Sequence, residues 1–410
     1  MSGLVIIGAG QAGGRAALSL RKFGFTGSVT LIGSEPHPPY ERPPLSKSVL
    51  TAGANPSGAV LATREAFFES SIDLRTKVEA TSIDRARRSV ILSSGGRIAY
   101  ETLILATGAR PRDAQLPGAN HRGVVTLRSA ADALALRRRL LPGCRLVVVG
   151  GGFIGLEVAA SVRALGCSVT VVEAAERLLQ RSVPTIVAEA VRARHRAEGV
   201  EILTGVSTHA IETTATALSV RLDNGETLPA DTVLIAAGAV PETRLAKAAG
   251  LDVDDGILAD GAFRTSDPNI RAIGDCARAI VPRYGAALRF ESYQNADQQA
   301  EACARVLTGA EVAHDPVPWL WSDQYDWTLH TTGLFGVEDV LVERPVDEAG
   351  AILILGLRNG RLTAAAGFGP LAKISQPVRL IQMMIEQDKV ADREQLADPA
   401  IPLKRLLKAA

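Results

Sequence analysis

An α/β fold, with two parallel-sheet domains and a smaller α+β domain at the C-terminal end, follows from three features of this 410-residue sequence. The stretch 4–35, LVIIGAGQAGGRAALSLRKFGFTGSVTLIGSE, passes from an apolar run, Leu4 to Ile7, through Gly8, Gly10 and Gly13 into a helix-like segment. It closes on a second apolar run, Val29 to Ile32, beside Glu35. The pattern returns 142 residues later in RLVVVGGGFIGLEVAASVRALGCSVTVVEA, with Gly150, Gly152 and Gly155 after a strand and Glu173 at the end of the next. From Pro316 the texture changes: all three tryptophans fall in WLWSDQYDW, residues 319–327, and alternating runs 337–343 and 351–357 precede a helix from about Val378 to Gln387.

Each glycine of the first stretch has a physical task. Gly8 makes the tight turn, Gly10 lets a pyrophosphate approach the backbone, and Gly13 lets helix pack on strand, with the phosphates at the helix N-terminus. Glu35 can accept a hydrogen bond from a ribose hydroxyl. Strand, turn, helix, strand and terminal acid in register make a Rossmann-type dinucleotide site. Two such units in one chain imply two dinucleotides that can face each other, which a dehydrogenase with a single cofactor does not need. The pairing points to a flavin and a nicotinamide.

Composition narrows the class. The length suggests two or three domains, and 47% hydrophobic with 22% charged residues is ordinary for globular proteins. A net charge of +1 gives no reason to invoke nucleic acid or a membrane surface. No secretory signal is visible, and no apolar run approaches the ~20 residues of a membrane helix, so a cytoplasmic protein is expected. Cys144, Cys167, Cys276 and Cys303 are far apart in sequence, which argues against a redox disulfide, a zinc site or an internal iron–sulfur cluster. The six histidines show no metal-ligand spacing, and no metal is expected.

In chain order, PHPPYERPPLSKSVL follows Glu35, and Pro43-Pro44 can open a helix whose first turns hold Leu45, Ser46 and Lys47. That lysine fits either a solvated helix position or a cofactor contact. Runs Val78 to Ile83, Ser89 to Leu92 and Thr102 to Ala106 predict a small antiparallel insertion returning to the parent sheet through LILATGARP, which ends at Thr107 and Gly108. A helix from about Ser129 to Leu141 precedes the second glycine unit, and a long one around Val183 to Glu198 leads to strands near Val200 to Leu203 and Ser219 to Leu222. DTVLIAAGAVPET mirrors LILATGARP, so the repeat covers the whole unit. Asp275, after a short strand Ile270 to Ile273, can hydrogen-bond a sugar or ribityl hydroxyl or cap a helix. The helix in 291–307 can set its positive N-terminal end against a flavin pyrimidine, where charge develops on reduction. The tryptophans fit either the core of the last domain or a flavin or partner contact. The expected domains are a flavin-binding domain over 1–108 and 239–317, a nicotinamide-binding domain over 109–238 and the C-terminal domain over 318–410.

GAGQAG, PYERPPLSK, LATGARPR, VVVGGGFIGLEVA, AIGDCA and WLWSDQ occur in that order across essentially the entire chain. The sequence thereby resembles the FAD-dependent NADH–ferredoxin reductases of oxygenase systems, the family of putidaredoxin reductase and the biphenyl and toluene dioxygenase reductases. The resemblance implies a glutathione-reductase-like fold binding FAD and NADH. It assigns Ala12, Gly13, the Ser34–Glu35 corner, Arg42, Lys47, Ala80, Arg128, Asp275 and Tyr293 to FAD, beside Gly8, Gly10, Thr107, Gly108 and Ser292. Gly151, Ile154, Gly155, Glu157, Glu173 and Gly238, with Gly150 and Gly152, fall where the family holds NADH. It further implies a Lys47–Glu157 ion pair beside flavin N5 and places Trp321 at the flavin edge facing the acceptor.

The expected reaction is hydride transfer from NADH to FAD, then two one-electron steps to a separate iron–sulfur protein, with no protein nucleophile and no dithiol. Glu173 disfavours a 2′-phosphate by charge repulsion, so NADH is expected over NADPH. The expected partner is a small acidic ferredoxin of the two-iron type, met by a monomer or homodimer. Arg64, Arg289, Lys373 and Arg379 are candidate docking charges. Rival readings are an NADH oxidase, quinone reductase or rubredoxin reductase on the same fold, or a flavoprotein acting by partner binding. The Lys404-Arg405-Leu406-Leu407-Lys408 tail carries a weak membrane-surface signal.

Overall fold

The computed structural model describes residues 3–213, 217–346 and 350–408. Residues 1–44, 55–110 and 239–316 make one compact unit, and 45–54, 111–238 and 317–410 a second. The short segment 45–54, assigned from sequence to the first flavin-binding segment, therefore packs with the second unit.

In the first unit Gly3–Ile7 is the central strand of a five-stranded parallel sheet. Ser28–Ile32 and Ile72–Arg75 lie to one side of it, and Thr102–Leu105 and Ile270–Ala272 to the other. Leu4, Val5, Ile6, Leu31, Leu103, Ile104 and Leu105 are nearly inaccessible, which is why these strands read as unbroken apolar runs rather than alternating ones. The antiparallel insertion forms over Ala80–Asp84, Ser89–Leu92 and Arg97–Ala99.

The second unit repeats the plan. Arg145–Val149 is central, Ser168–Glu173 and Glu201–Thr204 follow on one side, and Thr232–Ile235 and the two-residue Val124–Val125 lie on the other, all parallel. The turns match bond for bond: Gly8 N donates to Ile32 O and Gly150 N to Val172 O, both at 2.8 Å. The helix from about Ser129 is shorter than read, Ala130–Arg137, with Ser129 and Asp132 forming a reciprocal capping box. An insertion of three antiparallel strands, Thr208–Thr213, Leu218–Leu222 and Thr227–Ala230, mirrors that of the first unit. Only its middle strand is readable from sequence.

The C-terminal segment is a five-stranded antiparallel sheet in the order Trp319–Gln324, Trp327–Gly333, Arg361–Pro370, Ile352–Arg358, Val340–Pro345. The helix packed on it runs over Leu371–Glu386 and so begins seven residues before the expected Val378, passing through Pro377. An interior proline costs about 3 kcal/mol. Ile374, Val378, Ile381 and Ile385, all buried on one face, offset it by holding both halves against the sheet. The terminal helix Leu403–Lys408 buries Leu403 and packs Leu406 and Leu407 on the same core, so the tail's apolar side is spent internally. No helix among the described residues is long and apolar enough to cross a membrane.

Three histidines among the described residues, His195, His314 and His330, are buried, and burial holds each below its usual range. Burial pushes His195 and His314 down to about 4, with the neighbouring Arg194 cation adding to the effect at His195. Unfolding returns each to about 6.5, so the unfolded chain takes up the proton first and stability is lost as pH falls from 6.5 towards 4, by up to about 3 kcal/mol per residue. Urea unfolding at pH 7 and pH 4.5 should therefore show a smaller acid loss in His195→Gln than in the parent, by about 2 kcal/mol. Equal losses in the two proteins would refute the burial argument.

Candidate active site

The first glycine cradle is shaped by close contacts. A Cβ on Gly8 would meet Ala106 O at 2.1 Å and one on Gly13 would meet Gly8 O at 1.9 Å, whereas nothing lies within 4 Å of the corresponding point on Gly10. Gly8 and Gly13 thus pack the turn, and Gly10 leaves open the space a phosphate needs. Gln11 Nε2 and Arg15 Nε reach Asp297 Oδ1 at 2.6 and 3.1 Å, tying this helix to Tyr293–Leu307. Those ties were not evident from sequence.

Glu35 already has protein partners. It accepts from Tyr40 OH at 2.5 Å and from Arg42 Nη2 at 2.7 Å, with the Arg42 guanidinium over the Tyr40 ring. Ser34 is exposed at the preceding bend, and Ala80 is buried at the start of its strand. Thr107 Oγ1 donates to Glu242 O at 2.6 Å, and Gly108 has φ +72°. Asp275 sits in a single 3-10 turn, Gly274–Cys276, whose Gly274 N donates to Gln299 Oε1. Ser292 caps the Tyr293–Leu307 helix by accepting from Asn295 N, and the Tyr293 phenol donates to Glu41 Oε1, with burial pushing it up to about 12.

The second cradle is its twin. Gly150 and Gly155 would clash as Gly8 and Gly13 do, at 2.4 Å from Ala236 O and 2.2 Å from Gly150 O, and Gly152 again faces open space. Glu173 grips the turn: Oε2 accepts from Gly151 N at 2.7 Å and Oε1 from Ala175 N at 2.8 Å. Ile154 is exposed on the first helical turn, Gly238 takes φ +96° and accepts from Arg112 N, and Arg128 N donates to Asp132 Oδ2.

One turn along the same helix, Phe153–Ala164, stands Glu157, only 4% exposed. Lys47 Nζ lies 3.0 Å from its Oε1 and 3.9 Å from Asp323 Oδ2. Lys47 is not in the first turns of a helix as expected. Pro43–Ser46 winds as 3-10 helix, and Lys47 is the non-helical junction, φ −122° and ψ −106°, before the short helix Ser48–Thr51. Ser46 and Ser322 hydroxyls also donate to Glu157, at 2.5 and 2.8 Å. Burial pushes the Glu157 carboxyl above the usual carboxylate range, while Lys47 and the two hydroxyls pull it back.

Strand Trp319–Gln324 splits its faces. Ser322 and Gln324 point into the core, and on the other side Trp319 and Trp321 stack at 5.1 Å and 21°. His330, opposite Trp321 in the ladder, sits edge-on to Trp319. Trp327 takes the core role, against Phe368 and beneath Arg194.

The matching family model, Pyridine nucleotide-disulphide oxidoreductase, covers residues 2–300, and Reductase C-terminal covers 319–407. The chain belongs to the pyridine nucleotide-disulphide oxidoreductase family. It is 42% identical over 362 residues to rhodocoxin reductase of Rhodococcus erythropolis, spanning 88% of this chain and 84% of that one. It is 39% identical to the ferredoxin–NAD(+) reductase component of the anthranilate 1,2-dioxygenase system of Burkholderia cepacia, over 98% of both. The solved ferredoxin reductase for the CYP199A2 system from Rhodopseudomonas palustris superimposes with a TM-score of 0.95, at 37% identity and 99% coverage of both chains.

All four cysteines are free and buried. The fold brings Cys144 and Cys167 together, a pair the sequence spacing hides, and burial with that neighbour pushes Cys144 up to about 12. Burial does the same to Cys303 and also raises Cys276. A thiol held protonated is a poor nucleophile at neutral pH.

The glycine geometry has a direct test. Gly10→Ala and Gly152→Ala should leave the melting temperature of the ligand-free protein within a few degrees of the parent but weaken dinucleotide binding at least tenfold by titration calorimetry. Gly13→Ala should lose the fold itself. Unchanged binding in both open-site variants would show that the cradles do not hold phosphates.

Proposed function

We propose that this chain is an NADH-dependent ferredoxin reductase that takes hydride from NADH and passes single electrons to a small acidic iron–sulfur protein serving an oxygenase. The observation that carries the reading is the Lys47–Glu157 pair, whose buried acid stands on the helix that opens from the second glycine cradle. FAD, when bound, accepts two electrons together as hydride and releases them singly. The residues fit it: two cradles with open space at Gly10 and Gly152, and acids at both second-strand ends. The names of the relatives support the acceptor class.

Each side chain has a role in placement. Gly150, Gly152 and Gly155 seat the NADH pyrophosphate on the helix N-terminus, and Glu173, held by Gly151 N and Ala175 N, meets the adenosine ribose. A 2′-phosphate there would sit against a fixed carboxylate. Glu157 holds Lys47 in place, and the pair bounds the space of the nicotinamide ring, so that hydride leaves from one orientation. Gly8, Gly10, Ala12, Gly13, Glu35, Arg42 and Asp275 are assigned to FAD, and the stacked Trp319–Trp321 pair to the route outwards. All four thiols are free and buried, so splitting the electron pair would be the chemistry that FAD supplies. A cytoplasmic monomer or homodimer and a two-iron acceptor complete the reading.

Of the candidate docking charges, Arg289 is disfavoured: its side chain is 12% exposed and neutralised by Asp255 and Glu291. Arg379 pairs with Glu386, and Arg64 bonds to Thr76, which leaves Lys373 the most available.

Three measurements check this. NADH should exceed NADPH in kcat/KM by at least tenfold with a fixed acceptor, and an NADPH preference would overturn the role of Glu173. Glu157→Gln, which keeps the side chain's shape but removes its charge, should slow flavin reduction by NADH at least tenfold in stopped flow at unchanged FAD content. Across a panel of two-iron ferredoxins and rubredoxins, salt-sensitive electron transfer to a ferredoxin supports the acceptor. Negligible rates with all of them would refute it.

A further inference from the structure

The Glu157 carboxylate is the end of a longer buried construction. Ser322 Oγ donates to Glu157 Oε1 at 2.8 Å, and Gln324 Nε2 donates to Ser322 Oγ at 3.1 Å. His195 Nε2 lies 3.0 Å from Gln324 Oε1, and Tyr325 OH lies 2.9 Å from His195 Nδ1. His195, Ser322 and Gln324 are fully buried, and Tyr325 stands half-buried at the hairpin tip with φ +60°. The run joins helix Thr185–Ala197 to strand Trp319–Gln324 and to helix Phe153–Ala164, all within the second unit.

Donor and acceptor rules fix its direction. An ionised carboxylate only accepts, so Ser322 gives its one proton to Glu157 and must accept from its other neighbour. That turns the Gln324 amide nitrogen to Ser322 and its oxygen to His195. His195 must then carry its proton on Nε2, and a neutral ring leaves Nδ1 to accept from Tyr325. Every bond points towards Glu157. A primary amide in the middle does not relay protons readily, so the run orients rather than conducts. Satisfied polar groups in a row are worth little more to stability than an apolar core of the same shape, which leaves placement as their use.

We propose that Ser322, Gln324 and His195 are positioning residues for Glu157: a one-way hydrogen-bond run, entered at Tyr325, that holds Oε1 turned to Lys47. The inference rests on the reading of Lys47–Glu157 as the pair that orders the nicotinamide. Other charges face this run: Arg194 lies over the Tyr325 ring and pairs with Glu198 and Asp326, and Asp323 faces Lys47.

Histidine ¹⁵N NMR of the holoenzyme, with His195 assigned by its absence in His195→Gln, tests the direction without turnover. The expected spectrum shows a neutral ring protonated on Nε2 from pH 8 down to pH 5. A ring protonated on Nδ1, or one that becomes a cation near pH 6.5, overturns the proposal. Stopped-flow reduction by saturating NADH tests the consequence. Gln324→Leu and His195→Leu should slow reduction about three- to tenfold with the Kd for NADH unchanged, and His195→Gln, whose amide N–H replaces the Nε2 donor, should restore most of the rate. Ser322→Ala, a smaller change, serves if either leucine variant fails to fold. In a Glu157→Gln background Gln324→Leu should add less than twofold; equal slowing in both backgrounds overturns the inference. If Glu157→Gln slows reduction and the run variants do not, this inference alone falls. If Glu157→Gln itself is silent, the ion-pair reading falls and takes this one with it.

Discussion

A carboxylate with almost no access to water is the constraint on which the second unit depends. Burying an ionised acid costs several kcal/mol unless donors replace its hydration, so Glu157 dictates what surrounds it. Its two oxygens take a lysine ammonium and two serine hydroxyls, drawn from two separate stretches of chain, 46–47 and 322. Ser46 is itself anchored, its carbonyl accepting from Ser161 Oγ one turn further along the Glu157 helix. Segment 45–54 is held in this unit by those bonds and by Leu50, which joins the core beneath the Arg145–Val149 sheet. The C-terminal sheet is fixed at the same point, through Ser322 and Asp323.

The same economy runs through the glycine turns. Gly13 and Gly155 bring a helix so near its strand that no side chain fits, which puts backbone N–H groups at the mouth of the turn. Gly10 and Gly152 have room to spare, so the fold makes no demand for glycine there. A phosphate brought against the backbone would supply that demand. One residue type at one spacing thus separates into packing and binding duties once contacts are counted, and the repetition of both duties in each unit is what makes two nucleotides, rather than one, the natural reading.

Much of this was legible in the sequence, for identifiable reasons. The parallel strands declare themselves because burial on both faces leaves unbroken runs such as LVII and LVVV, and the acids Glu35 and Glu173 stand at their predicted strand ends. Strand Arg361–Pro370 was missed for the same physical cause acting on small residues: buried on both faces, TAAAGFG shows neither alternation nor bulk. Pro377 hid the first two turns of its helix, since local propensity cannot weigh the tertiary contacts of Ile374. The Lys47–Glu157 pair came from family resemblance and not from spacing, because 110 residues separate its members. The run from Tyr325 to Glu157 had no local signal at all. It draws on positions 157, 195, 322, 324 and 325, and only the folded chain makes neighbours of them.

The cysteines separate this chain from the disulphide chemistry in its family's name. Burial holds Cys144, Cys276 and Cys303 above the usual thiol range, which argues for a flavin that stores the electrons between NADH and the acceptor without a dithiol. Anaerobic reductive titration of the purified holoenzyme with dithionite, followed at the visible flavin band and by thiol count, measures that directly. The account expects complete bleaching after two electrons per FAD with no new thiols exposed. Uptake of four electrons, with two thiols appearing, would show a redox-active disulfide and contradict it.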